Sequence, residues 1–242
     1  MSNQSFAVVV PMFNEESGAQ NCIDEITRVL REYPPGVRLI AVNDGSSDRT
    51  AEILQRAAET NGTLTVVTHE QNSGYGKALQ SGARRALELG YEFAIFMDSD
   101  LTNHPRWIPR FVEQMRPDID LIKASRYMPG GGVDGVPAWR YWISRAGNAV
   151  ASALFGLPIR DCTNGFRAIR TAVFAKMTFR ERGFAMIMEE LYQAKLMGCR
   201  VLEIPNTLTN RTAAQRPTSF SYNPSTFWRY LKYALMARLR IR

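Results

Sequence analysis

Five short apolar runs, separated for the most part by helical patterns, fill the first half of this 242-residue sequence. "FAVVV" (6–10), "VRLIAV" (37–42), "LTVVT" (64–68), "FAIFM" (93–97) and "DLIKAS" (120–125) have the length and β-branched content of buried strands. Segments 16–32, 48–60, 76–89 and 106–116 lie between them with helical spacing. Parallel strands need covering crossovers, so this alternation predicts an α/β fold: a mostly parallel, twisted, Rossmann-like sheet flanked by helices. In such sheets ligands bind beyond the carboxyl ends of the strands. Three polar clusters fall at those ends: "PMFNEE" after the first run, "NDGSSD" after the second and "DSDLTNHP" after the fourth. That rim is the expected active site.

The second half is less regular. "MPGGGVDGVP" (128–137) is a glycine-rich loop, and an amphipathic helix is expected from about Ala138 to Phe155. "DCTNGFRAIR" and "RVLEIPNTLTNR" then bring further polar groups beside apolar runs. No linker or low-complexity break appears, and 45% hydrophobic residues supply a core. One domain over 1–225 is expected, with a nucleotide-binding part (1–125) and an acceptor-binding part (126–225), followed by a basic helix over 226–242.

Asp98 and Asp100 are two apart at a strand end, so an extended backbone turns both carboxylates to one side. Hard oxygen donors of this kind hold Mg²⁺ or Mn²⁺ together with substrate phosphates. Thr102 can add a hydroxyl. The plainer alternative is an aspartate capping the helix near Arg106. Asp44 ends the second strand, where a carboxylate can accept from a base or ribose; Gly45 and Asp48 there read as turn and cap. Asn14 and Glu15, after Pro11 and Phe13, are polar readers or an ordinary strand-to-helix loop. "NSGYGKAL" is not a phosphate loop, because Gln71 and Ala78 stand where glycine and Ser/Thr are required. Arg140 and Ser144 share a helix face near Arg126, which suits a phosphate clamp or simply a solvated basic helix.

The net charge of +7 favours an anionic partner. No nucleic-acid motif accompanies it, so nucleic acid is not an expected partner. Three scattered cysteines and two histidines exclude a disulfide framework and a histidine-rich metal site. "MSNQSFAVVVPMFNE" lacks the basic start of a signal peptide, and no run approaches the roughly 18 apolar residues of a spanning helix. The chain reads as soluble or peripheral. "TFWRYLKYALMARLRIR" (226–242) has five basic residues, four aromatics and no acid. That composition suits a membrane surface, or a helix packed on the domain.

Together these residues resemble the inverting GT-A glycosyltransferases of family 2, most of all the dolichyl- or polyprenyl-phosphate mannose (or glucose) synthases. The resemblance covers about residues 6–211 and rests on "VVVPMFNEE", "VNDGSSDRT", "NSGYGKA", "MDSDLTNHP", "SRYMPGGGVDGVPAWRYWISRAGN", "LPIRDCTNGFRAIR" and "EIPNTLTNR". D-x-D is unspecific; R-x-x-x-S-R-x-x-N with D-x-T-N-G-F-R is specific to the subgroup. The resemblance implies a GT-A fold and a nucleoside-diphosphate sugar bound by Pro11, Phe13, Asn14, Glu15, Val42, Asp44 and Ser99. It places the metal at Asp98, Asp100 and Thr102, and the acceptor's lipid phosphate at Arg126, Arg140 and Ser144. Arg211 would engage the donor diphosphate, while Asp161, Thr163, Asn164 and Glu189 would shape the sugar pocket. Asn43 replaces the usual first aspartate of D-D-G-S, Thr102 the usual glutamine. "TAAQRPTSF" after Arg211 departs from the family's G-x-S-K, with Arg216 as the candidate replacement for its lysine. The implied enzyme is peripheral on the cytoplasmic membrane face, alone or with a membrane-protein partner.

Two other readings remain open at this stage. One is transfer to a saccharide hydroxyl, which would need a base such as Glu189 or Asp161. The other is a non-catalytic nucleotide-sugar-binding subunit. A nucleotidyltransferase is disfavoured because "PMFNEES" stands where its glycine-rich loop belongs.

Overall fold

The computed structural model describes residues 5–209 and 224–239. Its main sheet holds β1 (Phe6–Met12), β2 (Arg38–Asn43), β3 (Leu64–Thr68), β4 (Phe93–Phe96), β5 (Leu121–Ser125), β7 (Arg167–Arg170) and β8 (Val201–Pro205). The strand order is β3-β2-β1-β4-β7-β5-β8. Every pairing is parallel except those of β7, which runs antiparallel between β4 and β5. A second, two-stranded sheet pairs β6 (Gly132–Val133) with β9 (Thr207–Leu208) and anchors the glycine-rich loop.

Period-two alternation divides the core in two. Phe6, Val8 and Val10 of β1, Leu39 and Ala41 of β2, and Phe93 and Ile95 of β4 face one layer. There they meet α1 (Ala19–Leu30), α2 (Thr50–Thr60) and α4 (Ile108–Gln114). Ala7, Val9, Ile40, Val42, Ala94 and Phe96 face the other, against α3 (Tyr75–Glu88), α5 (Ala138–Phe155), α6 (Thr171–Phe174), α7 (Met186–Leu196) and α8 (Pro224–Leu239). Burial on both faces explains why the strands read as continuous apolar runs. Gly82 lets α3 lie close on the sheet, because a Cβ there would overlap the Val9 side chain.

The five expected strands appear within two residues of their expected bounds, and α5 has the bounds read from sequence. The expected helix over 106–116 is a 3-10 turn at Pro105–Trp107 running into α4. Its cap is His104, whose Nδ1 accepts from the Arg106 N–H at 3.1 Å, so Asp98 and Asp100 are not spent as caps for it. Among the described residues no helix is long and apolar enough to cross a membrane.

Candidate active site

The loops after β1 and β2 are bonded to each other. Asn14 takes a positive φ of 53°. Its N–H donates to Ser46 Oγ at 3.0 Å, and its Oδ1 accepts from the Ser47 N–H at 2.8 Å. The Glu15 N–H donates to Thr50 Oγ1 at 2.8 Å, while Asp48 Oδ1 accepts from the N–H of Thr50, the first residue of α2, at 2.9 Å. Asn14 therefore spends its side chain on the neighbouring loop and does not present it to a ligand.

Asp44 is only 3% exposed. Its Oδ1 lies 2.7 Å from His69 Nδ1 and accepts from the Ser73 N–H at 2.9 Å; its Oδ2 accepts from the Gly74 N–H at 2.8 Å. His69 Nε2 is 2.9 Å from Ser81 Oγ. The carboxylate thus holds the start of α3 against β2. Gly45 completes the turn with φ +66°, where a Cβ would strike the Gln71 backbone. Val42 packs its side chain in the core, leaving only its backbone to meet a ligand.

At the end of β4, the Tyr75 hydroxyl donates to Asp98 Oδ1 at 3.0 Å. Burial, then the Asp98 charge, raise the Tyr75 phenol well above its ordinary value and keep it a donor. Leu101 takes φ 54°, and the Thr102 N–H and hydroxyl both donate to Asp100 Oδ1 at 3.0 and 2.8 Å. Thr102 therefore orients Asp100. Pro11, Phe13, Glu15, Asp44, Asp98, Ser99 and Asp100 line one cavity of about 220 Å³, with Tyr75 and Phe184.

Beyond Asp98 a larger, mainly apolar groove of about 770 Å³ runs between α5 and α8. Asp98, Arg126 and Ser144 stand among its lining residues, with Ile143, Val150, Phe227 and Trp228 along its walls. Asp98 and Phe184 belong to both spaces, so the polar cavity and the apolar groove meet there.

Arg126 is fixed by Asp161, which is fully buried. Its Nε and Nη2 donate to the two carboxylate oxygens at 2.7 and 2.8 Å, and Nη2 also donates to Thr163 Oγ1 at 2.9 Å. Burial would raise the Asp161 carboxyl, but the Arg126 charge and hydrogen bonds outweigh it and hold the group below the ordinary carboxylate range. Ser144 Oγ accepts from the Tyr127 hydroxyl at 2.7 Å. Arg140 lies over the Trp139 ring at 5.2 Å, at the exposed start of α5.

Asp161 and Glu189 do not stand as general bases. Asp161 also accepts from the Asn164 N–H, and Glu189 accepts from the Arg180 and Glu181 N–H groups at 3.0 and 2.9 Å. Both carboxylates brace loops. Asn164 does the same, since its carbonyl accepts from Lys123 Nζ at 2.6 Å and its Oδ1 from the Phe166 N–H. Arg211 and Arg216 lie outside the described residues.

Sequence reasoning missed Tyr75 and the ion pair beneath it. Arg167 Nε and Nη2 reach Glu190 at 2.6 and 2.7 Å with both side chains fully buried, and the guanidinium covers the Phe96 ring at 4.5 Å. An arginine flanked by apolar residues in "GFRAI" was the available signal.

The glycosyl transferase family 2 profile matches residues 7–178. A polyprenol monophosphomannose synthase of Mycolicibacterium smegmatis is 27% identical over 240 residues, 98% of this chain and 89% of that protein. An undecaprenyl-phosphate mannosyltransferase of Micrococcus luteus is 28% identical over 214 residues, 87% of this chain and 86% of that protein. Among solved structures, glucosyl-3-phosphoglycerate synthase of Mycobacterium tuberculosis, in complex with Mn²⁺, UDP-glucose and phosphoglyceric acid, superposes with a TM-score of 0.68 at 20% identity, over all of this chain and 81% of that one. That likeness establishes the GT-A fold, and the profile match over most of the chain establishes the rest: this protein is a glycosyltransferase and belongs to glycosyl transferase family 2.

Proposed function

We propose that the protein transfers a sugar from a nucleoside-diphosphate sugar, of the GDP-mannose or UDP-glucose type, to polyprenyl phosphate with inversion. The observation that carries this reading is the apolar groove of about 770 Å³ that ends on Asp98 and Arg126. A sugar nucleotide needs few apolar walls; an isoprenoid chain needs many. The mannosyltransferase relatives, named for polyprenyl-type lipids, point the same way.

Asp98 and Asp100 fit a divalent cation, Mg²⁺ or Mn²⁺, because two hard carboxylates line one cavity. Among the described residues no third His, Cys, Asp or Glu completes a cluster, so substrate oxygens and water would fill the remaining positions. When bound, the cation neutralises charge gathering on the departing nucleoside diphosphate. Tyr75 and Thr102 hold the two carboxylates in orientation. Phe13 and Pro11 flank the space for the base, Glu15 and Ser99 lie beside it, and Arg211 is assigned the diphosphate by resemblance.

On the acceptor side, Asp161 and Thr163 hold Arg126 at the groove's inner end. Ser144 accepts from Tyr127, which leaves its own proton for a phosphate oxygen. Arg140 completes the clamp from the same helix face. A phosphate monoester is already anionic near neutral pH, so its oxygen attacks the anomeric carbon without a base. The protein supplies alignment and leaving-group stabilisation. The loop-bracing roles of Asp161 and Glu189 favour this acceptor over a saccharide hydroxyl, which would need one of them as base.

Exposed Trp139, Trp142 and Ile143 on α5 and Phe227 and Trp228 on α8 support peripheral attachment to the cytoplasmic face of a membrane, alone or beside a membrane-protein partner. The test is to incubate the protein with Mn²⁺ or Mg²⁺, polyprenyl phosphate and a panel of labelled sugar nucleotides. Label entering the organic phase with one donor, and absent for Asp100→Ala, is expected. Metal-dependent donor hydrolysis without labelled lipid would overturn the acceptor.

A further inference from the structure

A basic cavity borders the groove and shares Arg126 with it. It has a volume of about 440 Å³ and is lined by Arg126, Arg145 and Arg160, by Tyr127 and Tyr141, and by the glycine-rich loop at Gly130. Among the described residues no acidic one lines it. The carboxylates bonded to its edge are already engaged: Asp161 by Arg126, and Glu203 by the N–H groups of Arg160 and Asp161 at 2.6 and 2.8 Å. Arg145 and Arg160 therefore set the sign of the cavity.

Tyr127 lines this space and is bonded to Ser144, which lines the acceptor groove. It is 8% exposed, bonds Ser144 across the gap between β5 and α5, and packs on Tyr141 with ring centroids 5.6 Å apart. Arg145 is held at the mouth, donating to the Tyr141 hydroxyl at 3.0 Å and lying over the Trp142 ring at 5.5 Å. Trp142 itself is 61% exposed, and Trp139, one helical turn earlier, 60%. A guanidinium held as that of Arg145 is suits phosphate oxygens, and exposed indoles suit the headgroup layer of a bilayer. One residue pair, Arg145 on Trp142, thus joins a phosphate-sized basic cavity to an exposed membrane-seeking ring.

We propose that this cavity takes the phosphate of an anionic phospholipid headgroup on Arg145 and Arg160, as a docking site beside that of the acceptor phosphate. The inference rests on the membrane-surface reading above. Occupied, it would fix the rotation of α5 on the bilayer and so aim the groove at lipid dissolved in it.

The test uses the full chain with vesicles of phosphatidylcholine alone and of equimolar phosphatidylcholine and phosphatidylglycerol. Arg145→Gln and Arg160→Gln are compared with Arg238→Gln, an equal charge loss on the exposed last turn of α8. Each cavity variant is expected to weaken partitioning onto the anionic vesicles about fivefold, the equivalent of ~1 kcal/mol, with a smaller change for Arg238→Gln. Transfer to a detergent-dispersed acceptor is expected to stay at the parent rate. Equal losses for all three variants would overturn the cavity in favour of a diffuse basic surface. Displacement by inorganic phosphate as effective as by soluble short-chain phosphatidylglycerol, at matched ionic strength, would assign the cavity to free phosphate and overturn the headgroup. Absence of binding to either vesicle would remove the membrane-surface reading itself. Loss of detergent-phase transfer in the cavity variants would mean that Arg145 or Arg160 serves the acceptor site, which also overturns the separate role.

Discussion

The Tyr75 hydroxyl, at the first residue of α3, donates to Oδ1 of Asp98 at 3.0 Å. Phe184 holds the tyrosine ring from the side, with centroids 4.7 Å apart. Gly165 leaves room for the pair, because a Cβ there would come within 3.2 Å of the hydroxyl and 3.4 Å of Asp98 Oδ2. The carboxylate is thus aimed by a donor from another element, in a space where a larger residue at 165 would press on both partners.

Tyr75→Phe removes that donor, together with the hydroxyl's hydrogen bond to Arg167. A hydrogen bond to a charged group contributes about 1.5–3 kcal/mol, so kcat/KM for sugar transfer is expected to fall about tenfold or more. The apparent Mn²⁺ affinity, read by titration calorimetry with nucleoside diphosphate present, should weaken as well. An unchanged metal affinity with lowered activity would remove the positioning role.

Removal of the cation with EDTA is expected to abolish transfer, and Mn²⁺ or Mg²⁺ to restore it. Asp100→Asn should lower the rate about 100-fold or more at saturating metal, the range seen when charge stabilisation is lost at a leaving group. Thr102→Val should cost less, since it only loosens Asp100. If Thr102→Val proves as damaging as Asp100→Asn, Thr102 is itself a ligand.

The rim and the five strands of the first half were legible in the sequence because burial on both faces writes itself as apolar runs ended by polar clusters, and α5 because a helical pattern follows the glycine-rich loop. β7 was not. Its sequence Arg167–Arg170 begins and ends with arginine, and the charge of Arg167 is balanced in the core by Glu190, 23 residues away. α7 hid for a related reason: Met186 to Tyr192 are all buried, Glu189 and Glu190 included, so no polar face marks a helix. At the site, residue types near the strand ends were readable, whereas their orientation was not. Asp44, Asp161 and Glu189 look alike as sequence, yet each spends its oxygens on loop N–H groups that only the fold brings close.

Asp161→Asn tests the brace on Arg126. Breaking a buried pair on one side leaves the other charge uncompensated, and a loss of about 3 kcal/mol is expected in urea denaturation near neutral pH. Because the Asp161 pKa is lowered in the folded protein, its contribution is present above the ordinary carboxyl range and is lost as pH falls through the folded value. The parent and Asp161→Asn proteins should therefore converge in acid. Equal stability near neutral pH would show that Thr163 alone suffices to hold Arg126.

Lys123 gives a pH dependence of the same sign at the other end of the scale. It is fully buried on β5, where Nζ donates to the Asn164 carbonyl at 2.6 Å and to the Cys162 carbonyl at 3.4 Å. Burial first, then the Arg167 charge, lower its pKa from 10.5 to about 8. Below about 8 the ammonium is charged in folded and unfolded chains alike, and the folded state carries the full cost of a buried cation. Between 8 and 10.5 the unfolded chain keeps a proton that the folded one has released, so this group makes stability rise with pH. Cys162, pushed up to about 12 by burial, acts in the opposite direction, but it is present in parent and variant and largely cancels in their difference. Relative to Lys123→Met, the parent is expected to gain about 3 kcal/mol across that window, from 2.5 pKa units at 1.36 kcal/mol each. Urea midpoints of both proteins measured through the alkaline range check it. Parallel curves would mean that Lys123 keeps its proton in the folded protein, held by the Cys162 and Asn164 carbonyls against the cost of burial.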